Sequence, residues 1–354
     1  MSRFFSERHS ELEAYTPGEQ PQDRNYIKLN TNESPFPVDH CAIRRASQAS
    51  KKLHLYNDPE CEVLSQKLAE YYGVSRRQVL AGNGSDEILN FAFMAFCDEK
   101  NPVIFPDITY GFYQVFAQVN HIPYRQIPLK EDLTIDLEDY MNNDSTIVLA
   151  NPNANTGIAL GAEEIEQILQ ANPDHVVVID EAYVDFGAQT VVPMISEYEN
   201  LLVTQTCSKA WSMAGARLGV GIGCEDLIAD LNTIKYSTNP YNVNTMTQAA
   251  GIGCLERVQF IKERCEQVCE IRAWTAQALK DLGFTQTPSS ANFLFARHPQ
   301  IGGEELYLKL KERGVLVRHF GTERIKDHIR ITIGSMENMQ ILIREIRSIL
   351  EEIS

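Results

Sequence analysis

A lysine with a hydroxyl neighbour on its N-terminal side, Thr206-Cys207-Ser208-Lys209, is followed eight residues later by an arginine in Ala214-Gly215-Ala216-Arg217-Leu218-Gly219. The lysine comes after the apolar run Leu201-Leu202-Val203, so it stands where a strand of an α/β sheet gives way to a loop. Ligands of open α/β sheets bind at such strand ends. An ammonium becomes nucleophilic only when deprotonated, and burial or a neighbouring cation lowers its pKa enough for Schiff-base chemistry. Arg217 is either that cation or a partner for a phosphate. Taken alone, a lysine after a strand reads as a surface residue; the other strand ends change that reading.

Val178-Ile179-Asp180-Glu181-Ala182-Tyr183 sets an acid at the end of a buried strand with a phenol three residues on. Such a carboxylate can ligate a metal, act as a general base, or face a bound cation. No second acid-rich strand end supplies further ligands, so no metal site is expected. A single acid opposite a protonated ring nitrogen fits better, because pyridoxal phosphate is an electron sink only while its pyridinium stays charged. Asn151-Pro152-Asn153-Ala154-Asn155-Thr156-Gly157 follows another strand, and its amides, proline and glycine make a turn able to donate to a ligand oxygen. Tyr110, in Asp107-Ile108-Thr109-Tyr110-Gly111, is placed to stack on a flat heterocycle. Gly82-Asn83-Gly84-Ser85-Asp86-Glu87 opens a helix with Ile88, Leu89, Ala92, Ala95 and Phe96 at helical spacing, and the free N–H groups of such an N-terminus suit an anion. An anion site, a ring, an amide loop, an acid and a lysine are the parts that a phosphorylated pyridine aldehyde requires.

The elements that must position these groups follow from the apolar runs. Val103-Ile104-Phe105, Thr146-Ile147-Val148-Leu149, Val176-Val177-Val178-Ile179 and Leu201-Leu202-Val203 are β-branched and non-alternating, as strands buried on both faces of a mostly parallel sheet are. Helical stretches lie between them. The expected architecture is therefore an α/β domain with a mostly parallel mixed sheet flanked by helices, over 36–240, and a smaller α+β domain over 241–354. In the smaller part a helix over about 255–282 ends at Gly283, and Asn292-Phe293-Leu294-Phe295, Val315-Leu316-Val317-Arg318 and Ile329-Arg330-Ile331-Thr332-Ile333 read as strands. Residues 1–35 are irregular and Pro-rich and read as a strap against the smaller domain. A helix is expected from Pro59 to Tyr72.

Over 354 residues the net charge is −16, which argues against nucleic acid and anionic membrane as partners. An anionic ligand then needs a locally built cationic site. The eight cysteines show no CxxC pair and read as reduced thiols of a cytoplasmic protein. The charged N-terminus lacks a signal-peptide core, and no run of about 18 apolar residues is present.

The order of these groups resembles the fold-type I pyridoxal-phosphate enzymes, the aspartate aminotransferase superfamily. The resemblance covers nearly the whole chain and is closest to the histidinol-phosphate aminotransferases. It rests on Leu29-Asn30-Thr31-Asn32-Glu33-Ser34-Pro35, Tyr56, Gly82 to Glu87, Asp180 to Tyr183, Ser208-Lys209, Ala214 to Gly219 and Arg330-Ile331-Thr332-Ile333-Gly334. It implies a Schiff base and proton shuttle at Lys209, with Asp180 on the pyridine nitrogen and Tyr183 on the ring hydroxyl. Gly84, Ser85, Asp86, Thr206, Ser208 and Arg217 would surround the cofactor phosphate, joined by Tyr56 from the partner subunit of a homodimer with shared sites. Tyr15, Asn32, Asn292, Arg318 and Arg330 would line the substrate pocket. The family usually carries Asn-Pro-Thr-Gly in the amide loop, where this chain has Ala154-Asn155-Thr156-Gly157; Asn153 is expected to take over the missing amide. The implied reaction is a ping-pong transamination of L-histidinol phosphate with 2-oxoglutarate. A threonine-phosphate decarboxylase, an aromatic or broad-range aminotransferase, and a non-enzymatic ligand sensor on the same fold are the alternatives.

Overall fold

The computed structural model describes residues 2–10, 12 and 14–353; Met1, Glu11, Glu13 and Ser354 lie outside the described residues. In chain order the strands are β1 (Ile27–Lys28), β2 (Val79–Gly82), β3 (Val103–Pro106), β4 (Tyr124–Ile127), β5 (Thr146–Ala150), β6 (Val177–Asp180), β7 (Leu201–Thr206), β8 (Gly219–Gly223), β9 (Thr285–Gln286), β10 (Phe293–Arg297), β11 (Val315–Leu316), β12 (Arg318–His319) and β13 (His328–Thr332). The helices are α1 (His40–Ala49), α2 (Glu62–Tyr72), α3 (Ser85–Phe96), α4 (Phe112–Val119), α5 (Ala162–Ala171), α6 (Glu225–Thr238), α7 (Thr245–Leu255), α8 (Val258–Asp281), α9 (Gly303–Glu312) and α10 (Met336–Ile353).

Seven strands form one sheet in the order β2-β8-β7-β6-β5-β3-β4. Only β8 runs against its neighbours; the remaining pairings are parallel. Parallel pairing requires both faces to be covered, and every residue of β3, β5 and β6 is accordingly buried. Because β5, β6 and β7 are parallel neighbours, their C-terminal ends open side by side, and the loops that follow them share one rim. Four antiparallel strands, β12-β13-β10-β9, form a second sheet, with α8 and α9 packed on it and α10 packed on those two helices. In α10 the buried Met339, Leu342, Ile343, Ile346 and Ile349 recur three and four residues apart and so share one face. From the N-terminal segment, β1 pairs in parallel with β11, Ile27 opposite Val315. Helix α7, beyond the expected boundary at residue 240, packs on α1 and α2.

Three local expectations need correction. Helix α2 begins at Glu62 and not at Pro59, because the Asp58 carboxylate accepts the N–H groups of Glu60 and Glu62 and Cys61 takes a left-handed conformation. The run Val315 to Arg318 is divided between two sheets: β11 joins β1, while β12 joins β13. Strand β8 escapes notice in the sequence because Gly219-Val220-Gly221-Ile222-Gly223 looks like a poor strand former. Its glycines are there because α3 crosses it closely. A Cβ on Gly219 would lie 2.3 Å from both Gly84 C and Ser85 N, and one on Gly221 would lie 2.9 Å from Ile88 Cγ2.

Gly219 therefore controls how near the N-terminus of α3 comes to the lysine loop. We expect Gly219→Ala to cost about 1–3 kcal/mol through overpacking, measured by urea denaturation, and to weaken cofactor binding in a spectroscopic titration. A variant as stable as the parent, with unchanged affinity, would remove this constraint from the account.

Candidate active site

The loop from Cys207 to Leu218 leaves β7 and returns as β8, and its ends are closed by the register pair Thr206–Gly219 and by the Cys207 N–H donating to Leu218 O. This hairpin delivers Ser208, Lys209 and Arg217 to the rim. Strand β6 ends in Asp180, followed by Tyr183, and the N-terminus of α3 brings Ser85 and Asp86. These residues surround a cavity of about 200 Å³, which Tyr110 and Thr206 also line. A wider cavity of about 710 Å³ shares Lys209, Tyr183, Tyr110, Ala154, Asp86 and Arg217 with it and continues to Tyr15, Asn32, Asn155, Arg318 and Arg330.

At the floor, Asp180 is 4% exposed and accepts from Tyr113 Oη at 2.8 Å and Thr204 Oγ1 at 3.2 Å. Burial pushes its carboxyl up to about 6, with the Asp86 carboxylate adding to the rise and the Tyr113 and Thr204 hydroxyls opposing it. The Lys209 Nζ donates to Thr31 O at 3.2 Å and stands 5.9 Å from the centroid of the Tyr183 ring. Arg217 donates to Asp86 Oδ2 at 2.8 Å, and Tyr110 donates to Asp86 Oδ1 at 2.7 Å. Burial and that carboxylate raise the Tyr110 phenol, which stays protonated. Gly84 (φ +85) lies under the Arg217 guanidinium, where a Cβ would come within 2.5 Å of Nη2. Thr206 and Ser208 bond through their hydroxyls at 2.9 Å.

In the wider cavity two guanidiniums have only neutral partners among the described residues. Arg330 donates to Ala154 O at 2.8 Å and more weakly to Asn30 O at 3.4 Å, lies against the Phe293 and Phe320 rings, and has no acceptor for Nε. Its burial disfavours the charged form, and Arg318 adds to that effect. Arg318 donates to the carbonyls of Thr16 and Pro17 in the N-terminal segment. Tyr15 of that segment packs on Phe112 at 4.3 Å between ring centroids and meets Tyr110 edge-on. The segment is held further along by Glu19, which accepts from Tyr307 and pairs with Lys311 of α9.

Several expected site residues stand elsewhere or act differently. Asn153 does not reach the cavity: its Nδ2 donates to Ile108 O, and its Oδ1 accepts the N–H groups of Asn155 and Thr156, so its carboxamide is spent on the turn. Asn292 lies behind the pocket and donates to Asn32 O at 3.0 Å. Asn32 lines the wider cavity, but its side chain is committed: Nδ2 donates to Tyr183 Oη at 2.9 Å and Oδ1 accepts from Thr332 Oγ1 at 3.0 Å. Tyr56, expected at the partner's site, lines neither cavity of its own chain, as that expectation requires; it is 85% exposed and stacked on Tyr241. The sequence reading also missed Tyr113 and Thr204, the donors to Asp180, and the Asp86 side chain that joins Tyr110 to Arg217. The i, i+3 spacing of Tyr110 and Tyr113 is the one signal that could have suggested the first.

Among the described residues no group of three or more His, Cys, Asp or Glu could hold a metal ion. The arrangement offers an anion cradle at a helix N-terminus, a ring to stack on, a buried carboxylate for a cationic heteroatom and an amine for a carbonyl.

The model of the family "Aminotransferase class I and II" matches residues 24–346. A histidinol-phosphate aminotransferase of Brachyspira hyodysenteriae is 45% identical over 353 residues, 99% of this chain and 100% of that protein. Another from Marinomonas sp. is 46% identical with the same coverage. The crystal structure of histidinol-phosphate aminotransferase from Sinorhizobium meliloti in complex with pyridoxal-5'-phosphate superposes with a TM-score of 0.83 at 23% identity, covering 92% of each chain.

The raised pKa of Asp180 carries a signed consequence for the ligand-free protein. Its ordinary value is 3.8 and its folded value about 6, so the charged form costs folding stability above pH 6, and the cost fades as pH falls toward 4. Two units correspond to about 3 kcal/mol at most. We expect ligand-free Asp180→Asn to melt above the parent at pH 8, with the difference closing between pH 6 and 4. Parallel melting curves across that range would contradict an uncompensated charge at this position.

Proposed function

Since the chain belongs to the class I and II aminotransferase family, we propose that it transfers the amino group of L-histidinol phosphate to 2-oxoglutarate, giving imidazole acetol phosphate and L-glutamate, the transamination of histidine biosynthesis. The cofactor is pyridoxal phosphate, which supplies an electrophilic carbonyl and an electron sink when bound. The observation that carries the substrate reading is the pair Arg318 and Arg330, neither bonded to a carboxylate among the described residues, in a cavity that also holds Lys209. Glutamate presents carboxylates and histidinol phosphate presents a phosphate, and one planar guanidinium fork serves both anions in turn.

The residues present fit the cofactor. Asp180, buried with neutral donors only, would face the pyridine nitrogen and gain the cation it lacks. Tyr183 would lie beside the ring hydroxyl, oriented by the Asn32 amide. Ser85, Ser208 and Arg217 would hold the phosphate over the glycine that gives the guanidinium room, and Tyr110 would cover the ring. Lys209 would hold the cofactor carbonyl between turnovers; in turnover its Nζ takes the proton from the substrate Cα and returns it. Asp86, tied to both Tyr110 and Arg217, keeps ring and phosphate site in register.

The exposed Tyr56, with Leu53 and Leu55 beside it in sequence and Tyr241 beneath it, supports a homodimer in which Tyr56 reaches the phosphate site of the partner subunit. All eight cysteines are free thiols, which supports a cytoplasmic location.

Absorbance spectra of protein loaded with pyridoxal phosphate test the reading. L-histidinol phosphate is expected to discharge the visible band and 2-oxoglutarate to restore it. Lys209→Ala should show no such band and lose at least about 10²-fold in turnover, the scale of a positioned proton carrier. A band indifferent to histidinol phosphate but discharged by aromatic amino acids would move the substrate and leave the reaction class intact.

A further inference from the structure

The amide loop carries three asparagines, and two are fully committed to its shape. Asn151 exchanges hydrogen bonds with the backbone of Leu160, and Asn153 bonds Ile108 O and the N–H groups of Asn155 and Thr156. The third differs. Asn155 is 8% exposed, lines the wider cavity, and among the described residues its carboxamide makes no hydrogen bond; only its backbone N–H is engaged. A carboxamide has two N–H donors and an acceptor, and here they open onto the cavity with no protein partner among the described residues.

Its neighbour shows what it faces. Arg330 donates to the carbonyl of Ala154, the residue immediately before Asn155, so the guanidinium is docked on this turn. Of the five N–H groups of a guanidinium, those used go to two backbone carbonyls, and among the described residues Nε has no acceptor. A cation without an anion and an amide without a partner thus line one cavity, joined through Ala154. Ala154 itself presents only a methyl group and competes for neither.

We infer that Asn155 is a specificity-determining residue whose side-chain N–H donates to the same substrate anion that Arg330 holds, so that the anion is gripped between one charged and one neutral donor. Arg330 supplies attraction for any anion. Asn155 adds direction, favouring a group with an acceptor oxygen on its side of the guanidinium plane. This reading deepens the proposed reaction and rests on it for the identity of the substrate, but not for the binding of the anion.

Calorimetric titration of the protein, already saturated with pyridoxal phosphate, with inorganic phosphate tests the inference without turnover. The parent is expected to bind one phosphate in the substrate cavity. Asn155→Ala should bind about tenfold more weakly and Asn155→Asp about a hundredfold, because the isosteric aspartate removes the donor and opposes the charge; Arg330→Met should abolish binding. The aspartate variant keeps the shape of the turn, so an unchanged melting temperature separates the loss from misfolding. In the half-reaction with histidinol phosphate, the substituted enzymes should need proportionally more substrate to half-saturate, with a maximal rate within about twofold. Phosphate affinity in Asn155→Asp equal to the parent, or no phosphate binding by the parent, would overturn the inference. Phosphate binding that follows Asn155, with histidinol phosphate inert in the parent, would instead remove the proposed substrate and leave the anion site standing.

Discussion

A carboxylate buried with no cation of its own is the constraint around which this structure is arranged. Asp180 stands at the end of the central strand β6, and among the described residues its donors are neutral: the hydroxyls of Tyr113 and Thr204 and the backbone N–H of Ala182. A charge held that way is costly unless something positive arrives. The sheet order then decides what else is near. With β5 and β7 on either side in parallel, the amide loop and the lysine hairpin open on the same rim as Asp180, and α4 lays Tyr113 over it. The antiparallel return of β8, with Gly219 against the first residues of α3, draws the anion cradle toward the hairpin. Each of these placements follows from backbone pairing, so the site inherits the rigidity of the sheet.

The wall facing the cavity comes from the two ends of the chain. Asn32 is held in a left-handed conformation (φ +55) by Thr332 and donates to Tyr183; Asn292 supports it from behind. An asparagine tolerates that backbone better than most residues. Arg330 is docked on the amide loop and Arg318 on the N-terminal carbonyls, so the two cations bridge segments that have no sheet in common.

Much of this was legible in the sequence, for physical reasons. Buried parallel strands advertise themselves as β-branched runs, and the ends of those runs located Asp180 and the amide loop within a residue or two and Lys209 within six. The N-terminus of α3 was marked by its glycines and acids. What the sequence hid was the use of side chains against one another. Asn153 and Asn155 are the same residue type two positions apart, yet one is consumed by a turn and the other faces the cavity; only backbone geometry separates them. Asn32 and Asn292 were placed in the pocket by resemblance; Asn32 does line the cavity but spends its amide on Tyr183, and Asn292 supports the Asn32 backbone from behind. Strand β8 was hidden because its glycines answer to the helix crossing it and not to strand propensity.

The long reach of the Asn32–Thr332 pair bears on how the protein is made. Three hundred residues separate the two, and Arg330 meets Ala154 across 176. On the ribosome, β5, β6, β7 and the hairpin to β8 can pair as they emerge, since each joins a neighbour close in sequence. The side of the cavity that grips the substrate must wait for β13, more than a hundred residues after β8. A chain released before β13 thus presents the cofactor-facing half of the site without its counterpart, and recognition of substrate waits on the synthesis of that strand.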